Sequence, residues 1–165
     1  MAKNNLQKFL FPELTLKFFL RVSVIIITSV ILFTYIFIPF RINGFSMTPT
    51  YKNGGFNFCF TLRYLFSSPK PFDVVTIRLA GSRVMLLKRI VATQGETVEF
   101  KNGYLYINGK KVGEPYVTRR QQWNLAPRLV KRNHVYVVGD NRNVPMKMHD
   151  FGQTPVYRII GAPLW

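Results

Sequence analysis

Thr97-Val98-Glu99-Phe100-Lys101-Asn102-Gly103-Tyr104-Leu105-Tyr106-Ile107-Asn108-Gly109-Lys110-Lys111-Val112 decides the fold. Two short runs rich in β-branched and aromatic residues, 97–100 and 104–107, are separated by the turn signal Lys101-Asn102-Gly103. Asn108-Gly109 then stands between Tyr104–Ile107 and Lys111-Val112, a sequence that favours a two-residue type I′ hairpin. The same texture extends outward. Asp73-Val74-Val75-Thr76-Ile77, Val84 to Ile90 and Val135 to Val138 read as further strands, with Gly139-Asp140-Asn141 as another turn. No amphipathic helical pattern interrupts them, and there is no internal repeat or low-complexity linker. From Arg41 onward the chain is expected to be mostly β, an antiparallel sandwich or barrel-like coil.

Upstream the texture differs. Val22 to Phe40 reads VSVIIITSVILFTYIFIPF, nineteen residues without a charge. That is close to the ~20 residues a helix needs to cross a hydrocarbon core. A buried core helix is the other reading, but few helices of a small soluble domain are apolar all round. Lys3, Lys8, Lys17 and Arg21 precede the run and only Glu13 opposes them. The excess of positive charge predicts a cytoplasmic segment 1–21, a transmembrane helix 22–40 and an extracytoplasmic domain 41–165. A cleaved signal peptide competes with this reading, yet Pro39-Phe40-Arg41 is a poor small-residue cleavage site. Phe9 to Phe19 is expected to lie at the interface as an amphipathic segment.

The formal charge is +16, from 23 Lys and Arg against 7 Asp and Glu. Such a balance calls for an anionic partner, a lipid surface or nucleic acid. Behind an export anchor the phospholipid surface is the expected partner and nucleic acid is not. Arg119-Arg120 and Lys131-Arg132 near Trp123 and Leu125 are expected to meet headgroups, with Trp123 entering the interface; a solvated basic face is the plainer alternative. Cys59 is the only cysteine and there are two histidines, His134 and His149. That leaves no internal disulfide, no CxxC pair and little basis for a zinc site, so no metal or cofactor is expected.

One segment suggests chemistry. Gly44-Phe45-Ser46-Met47-Thr48-Pro49-Thr50 follows the apolar run within a few residues. By itself a serine between Gly and Pro is an ordinary turn. Next to a membrane it could act on substrates held there. A serine hydroxyl needs a base, and neither histidine sits in a recognisable triad context. Lys88, in Val84-Met85-Leu86-Leu87-Lys88-Arg89-Ile90-Val91, is the other route. Strand alternation turns Lys88 and Arg89 to opposite faces. An inward Lys88 would lose water and favour its neutral form; a snorkelling surface lysine is the alternative.

These residues resemble the type I signal peptidases. Ser46-Met47-Thr48-Pro49-Thr50 is similar to the family's nucleophile box, Ser-Met-x-Pro-Thr. Phe72-Asp73-Val74-Val75 resembles its Gly-Asp-Val-Val strand, with Phe for Gly. Leu87 to Glu96 is similar to the box carrying the general base, and Gly139-Asp140-Asn141-Arg142 opens like the last box. Arg158-Ile159-Ile160-Gly161 is similar to the closing strand. The resemblance runs from Gly44 to Gly161 and implies a Ser46–Lys88 dyad on an all-β fold behind one membrane helix. It implies cleavage of signal peptides from exported preproteins after small residues, at a bacterial inner membrane. It also implies that Gly44, Phe45, Met47, Leu86 and Leu87 meet the substrate, which pairs as an added strand, and that the Ser46 N–H is one oxyanion donor.

The last box departs from the pattern. Aligned without a gap, Pro145 replaces the serine that usually bonds the lysine, Lys147 replaces an Asp and His149 an Arg. Asp140, Asn141, Arg142 and His149 are then the expected braces, with Asp150 a further candidate. A non-catalytic binding or scaffold subunit is the alternative this motivates. The short chain and the Gly-x-Ser-Met form also resemble the conjugative-transfer relatives, which mature pilins.

Overall fold

The structure, a computed structural model, describes residues 15–78, 85–149 and 151–165. Lys3, Lys8, Glu13, the first part of the 9–19 segment, Val84 and Asp150 lie outside the described residues. The chain divides into two units, Met1–Phe37 and Ile38–Trp165.

In the first unit Thr15 opens helix α1, Leu16–Ile31, its Oγ1 accepting from the Phe18 N–H at 3.3 Å. A π-helical turn, Leu32–Ile36, continues it. Together they form an apolar helix of 21 residues with mean hydropathy 2.2. At ~1.5 Å per residue that is about 31 Å, the thickness of a hydrocarbon core. None of its residues is buried. The helix therefore begins and ends earlier than the expected 22–40. Pro39 supplies the reason. It has no N–H to donate and disfavours helical backbone at Ile38, so the apolar run leaves the helix before it. Phe37–Arg41 instead forms strand β1.

The second unit is mostly antiparallel β, as expected. Its strands are β2 Phe56–Phe60, β3 Val74–Arg78, β4 Met85–Thr93, β5 Thr97–Lys101, β6 Tyr104–Ile107 and β7 Lys110–Lys111. They continue with β8 Leu125–Leu129, β9 His134–Val138, β10 Gly152–Pro155 and β11 Ile159–Pro163. One sheet has the order β1-β2-β11-β3-β4-β9-β10 and the other β7-β6-β5-β8. Every pairing from β2 to β10, and every pairing in the smaller sheet, is antiparallel. The Asn108-Gly109 hairpin is present: Ile107 pairs with Lys110, and φ is 51° and 75° at the two turn residues. Asn102-Gly103 makes a second two-residue turn, with Lys101 opposite Tyr104.

A core lies between the sheets. Val98, Phe100, Leu105 and Leu125 of the smaller sheet pack against Val91, Tyr136 and Val138 of the larger. Trp123 belongs to this cluster and is 3% exposed. The expectation that it enters the lipid interface is overturned. Its indole N–H donates to the Val144 carbonyl at 2.8 Å, which removes the cost of burying that donor. On the other face of the large sheet, Val75, Ile77, Ile90, Val135 and Val137 form a second cluster. The nine-residue strand β4 thus carries one set of side chains toward each cluster.

Candidate active site

Ser46 lies in the loop between β1 and β2. Local bonds shape this loop: Thr48 donates its N–H and its hydroxyl to the Phe45 carbonyl, at 3.2 and 2.8 Å, and the Tyr51 N–H donates to the Met47 carbonyl. The Gly44 N–H donates to Asn53 Oδ1 at 2.9 Å. Met47, 2% exposed, packs with Ile42 and Leu87 and plugs the loop into the domain. Met47 and Leu87 therefore anchor the loop in a buried cluster. Phe45 is exposed, and Leu86 is half-buried.

The turn after β9 holds the other side of the loop. The Asn141 N–H donates to the Ser46 carbonyl, and Asn141 Nδ2 to the Phe45 carbonyl, each at 3.0 Å. Gly139 touches Ser46 directly. A Cβ built there would collide with the Ser46 carbonyl oxygen and lie 3.2 Å from the Ser46 Cβ. Lys88 sits on β4 opposite Val75 and is 3% exposed. The β4–β9 ladder pairs Arg89 with Val138 and Ile90 with Val137. Continued by one residue, it sets Gly139 across from Lys88. Directly opposed residues share a face, so Ser46 fills the side-chain space of Gly139 on the Lys88 face of the sheet.

Arg89 points the other way, as alternation demands. Its Nε and Nη2 donate to Asp140 at 2.8 and 2.7 Å, and its Nη1 to the Phe72 carbonyl at 2.8 Å. Asp140 is fully buried and also accepts from Thr50 Oγ1 at 2.6 Å. A second ion pair lies behind it. Arg142 donates to Glu114 at 3.2 and 2.6 Å, and its Nε to the Gly139 carbonyl at 2.9 Å. Its guanidinium lies 5.1 Å from the Phe100 ring and 5.4 Å from Trp123. Tyr116 joins the two pairs, donating to Glu114 at 3.0 Å while Arg89 covers its ring at 4.0 Å. Burial first, then the Glu114 charge, pushes the Tyr116 phenol above its usual range and keeps it a donor. Each carboxylate here is desolvated, so its partner is needed. Thr50→Val should remove the hydroxyl bond to the buried Asp140 and destabilise the fold by about 2 kcal/mol, read by chemical denaturation.

Phe72 has φ of 72°, a region costly for a residue with a side chain. Its N–H donates to the Ile90 carbonyl at 2.7 Å and its carbonyl is held by Arg89, so the surroundings impose the conformation. A glycine would adopt it without strain.

Residues 15–164 match the family described as signal peptidase, peptidase S26. The chain belongs to this signal peptidase family. It is therefore a serine peptidase. It is 33% identical to Signal peptidase I S of Bacillus subtilis, over 76% of this chain and 73% of that protein. It is 29% identical to the chloroplastic Thylakoidal processing peptidase 1 of Arabidopsis thaliana, over 77% of this chain but only 41% of that longer protein. A crystallised signal peptidase I of Enterococcus faecalis is 25% identical, with a TM-score of 0.48 over 58% of this chain and 97% of that one.

In this signal peptidase Asp140 and Asn141 hold the serine loop, and Arg142 holds Gly139. His149 sits in the interlayer core, its ring 4.8 Å from Trp123 and roughly edge-on. Pro145 caps the 3-10 turn Met146–Met148, and Lys147 is exposed. Glu114, Thr50 and Gly139 are the contributors that the sequence reading missed. The signal for Glu114 was scarcity: six acidic residues against 19 basic ones after Phe40 leave few partners for any buried arginine.

Proposed function

We propose that this peptidase removes signal peptides from exported preproteins, with Ser46 attacking the scissile carbonyl and Lys88 accepting the serine proton. The observation that supports this reading best is the placement of Ser46 in the space left by Gly139, on the Lys88 face of the sheet. Lys88, 3% exposed as a residue and walled by Leu86 and Val137, is largely removed from water, and burial of an amine favours the neutral form a base requires. Attack by Ser46 Oγ transfers its proton to Lys88 Nζ; collapse of the tetrahedral intermediate returns that proton to the leaving amine, and water then releases the acyl group. The Ser46 N–H is the proposed oxyanion donor. The 21-residue apolar helix Leu16–Ile36 anchors the chain, with the segment before it cytoplasmic and residues 41–165 on the outer face of a bacterial inner membrane. There the substrate is itself delivered in the lipid.

The full chain, reconstituted in vesicles with a precursor ending its signal peptide in Ala-x-Ala, should release a mature protein whose N-terminal sequence begins after the second Ala. Precursors with Leu at the residue before the cut should persist. A precursor that is bound yet never cut would favour the non-catalytic scaffold reading instead.

A further inference from the structure

We propose that Arg78 and Arg158 form a subsite that selects an acidic side chain near the scissile bond of the substrate. This rests on the assignment of Lys88 as the base. A cavity of about 200 Å³ opens on the Lys88 side of the sheet. Lys88 forms part of its wall, with Leu86, Val137 and Phe151, and both arginines line it. Val137 stands two residues before Gly139 on the same face, roughly 7 Å along the strand from where the Ser46 Cβ sits. Whatever enters the cavity therefore lies beside the cut bond. Its volume falls below the roughly 300–1,000 Å³ of small-molecule sites and suits one side chain.

Among the described residues its charge is unbalanced. Neither Arg78 nor Arg158 has an ion pair among the described residues. The described carboxylates of the domain are engaged elsewhere. Asp140 pairs with Arg89, Glu114 with Arg142 and Glu99 with Lys101. Glu96 accepts from the Thr93 N–H and hydroxyl, and Asp73 from Tyr64 and the Lys70 N–H. The two arginines come from different elements: Arg78 ends β3 opposite Met85, and Arg158 closes the 3-10 turn Val156–Arg158. A guanidinium presents a planar fork that a carboxylate matches with two parallel bonds. Between apolar walls such a contact is less screened than on open surface. A lipid phosphate has the same appetite for arginine, but the shared wall with Lys88 places the cavity at the peptide rather than at the bilayer.

The test is a panel of precursor peptides with Asp, Asn or Lys at each position from the fourth before to the fourth after the cut, assayed with the full chain in uncharged detergent. At one position Asp should be cleaved about tenfold faster than Lys, with Asn between. Arg158→Gln should flatten that ratio, and Arg158→Glu should invert it; a ratio within one preparation does not depend on how much of a variant folds. Equal rates for all three residues at every position, with ordinary cleavage persisting, would overturn the subsite and leave the base assignment standing. A preference unchanged in the Arg78→Gln, Arg158→Gln double variant would also overturn it. So would variants that alter only the response to added phosphatidylglycerol, because the arginines would then read lipid.

Discussion

Lys88→Met should lower the cleavage rate by at least about 10³-fold while leaving the melting temperature equal or higher. The two side chains are similar in length, so the packing of β4 against Val75 and Val137 is retained. What changes is that a buried amine, which costs free energy to strip of water, becomes an apolar thioether. A lysine kept for stability would behave oppositely: its loss would lower the melting temperature and spare the rate. Ser46→Ala should show the same kinetic defect, and combining the two should add little if they are the proposed nucleophile and base, which act as one unit. Multiplicative loss in the double variant, or full activity of Lys88→Met, would disprove the dyad. The rate is read from precursor cleavage in vesicles and the melting temperature from the same preparation.

The legibility of this chain follows the range of the interactions. The β5–β6–β7 meander could be read because each turn carries its own chemistry: Asn-Gly closes two hairpins with no help from elsewhere. Strand β1 was hidden because Phe37 to Phe40 continues an apolar run, and only Pro39 marks where helix gives way to strand. Strand β8 contains Pro127, which fits an edge strand but breaks the usual pattern. Trp123 was misread for a different reason. Basic pairs around an aromatic residue resemble an interfacial belt, whereas the chain folds that ring inward and satisfies its N–H on Val144. The candidate site was legible only in its parts. Ser46 and Lys88 stand out by type and context, but nothing local links Phe45 to Asn141, 96 residues further on, or Arg142 to Glu114. Two buried ion pairs, Arg89–Asp140 and Arg142–Glu114, lie behind the Ser46 loop, and ion-pair partners leave no periodic trace in a sequence.

Gly139→Ala should reduce the cleavage rate by about 10²-fold or more although no reacting group is removed. The added methyl would meet the Ser46 carbonyl oxygen and Cβ, both well inside contact distance. Neither side yields easily. Gly139 is fixed through its carbonyl by Arg142, itself locked to Glu114, and Ser46 is tied to Asn141 and backed by the buried Met47. The Ser46 loop must therefore shift, and for the proposed dyad a shift near 1 Å is enough to spoil attack geometry. Gly113→Ala is the matched control. A Cβ there meets nothing within 4 Å, so activity should be unchanged. The decisive comparison uses a serine-directed covalent probe alongside the cleavage assay. Loss of both labelling and cleavage in Gly139→Ala, with the melting temperature within a few degrees of the parent, places the fault in the approach of Ser46 to its base. Full activity of Gly139→Ala would mean that Ser46 does not depend on the slot opposite Lys88, and the geometry that joins them would have to be abandoned.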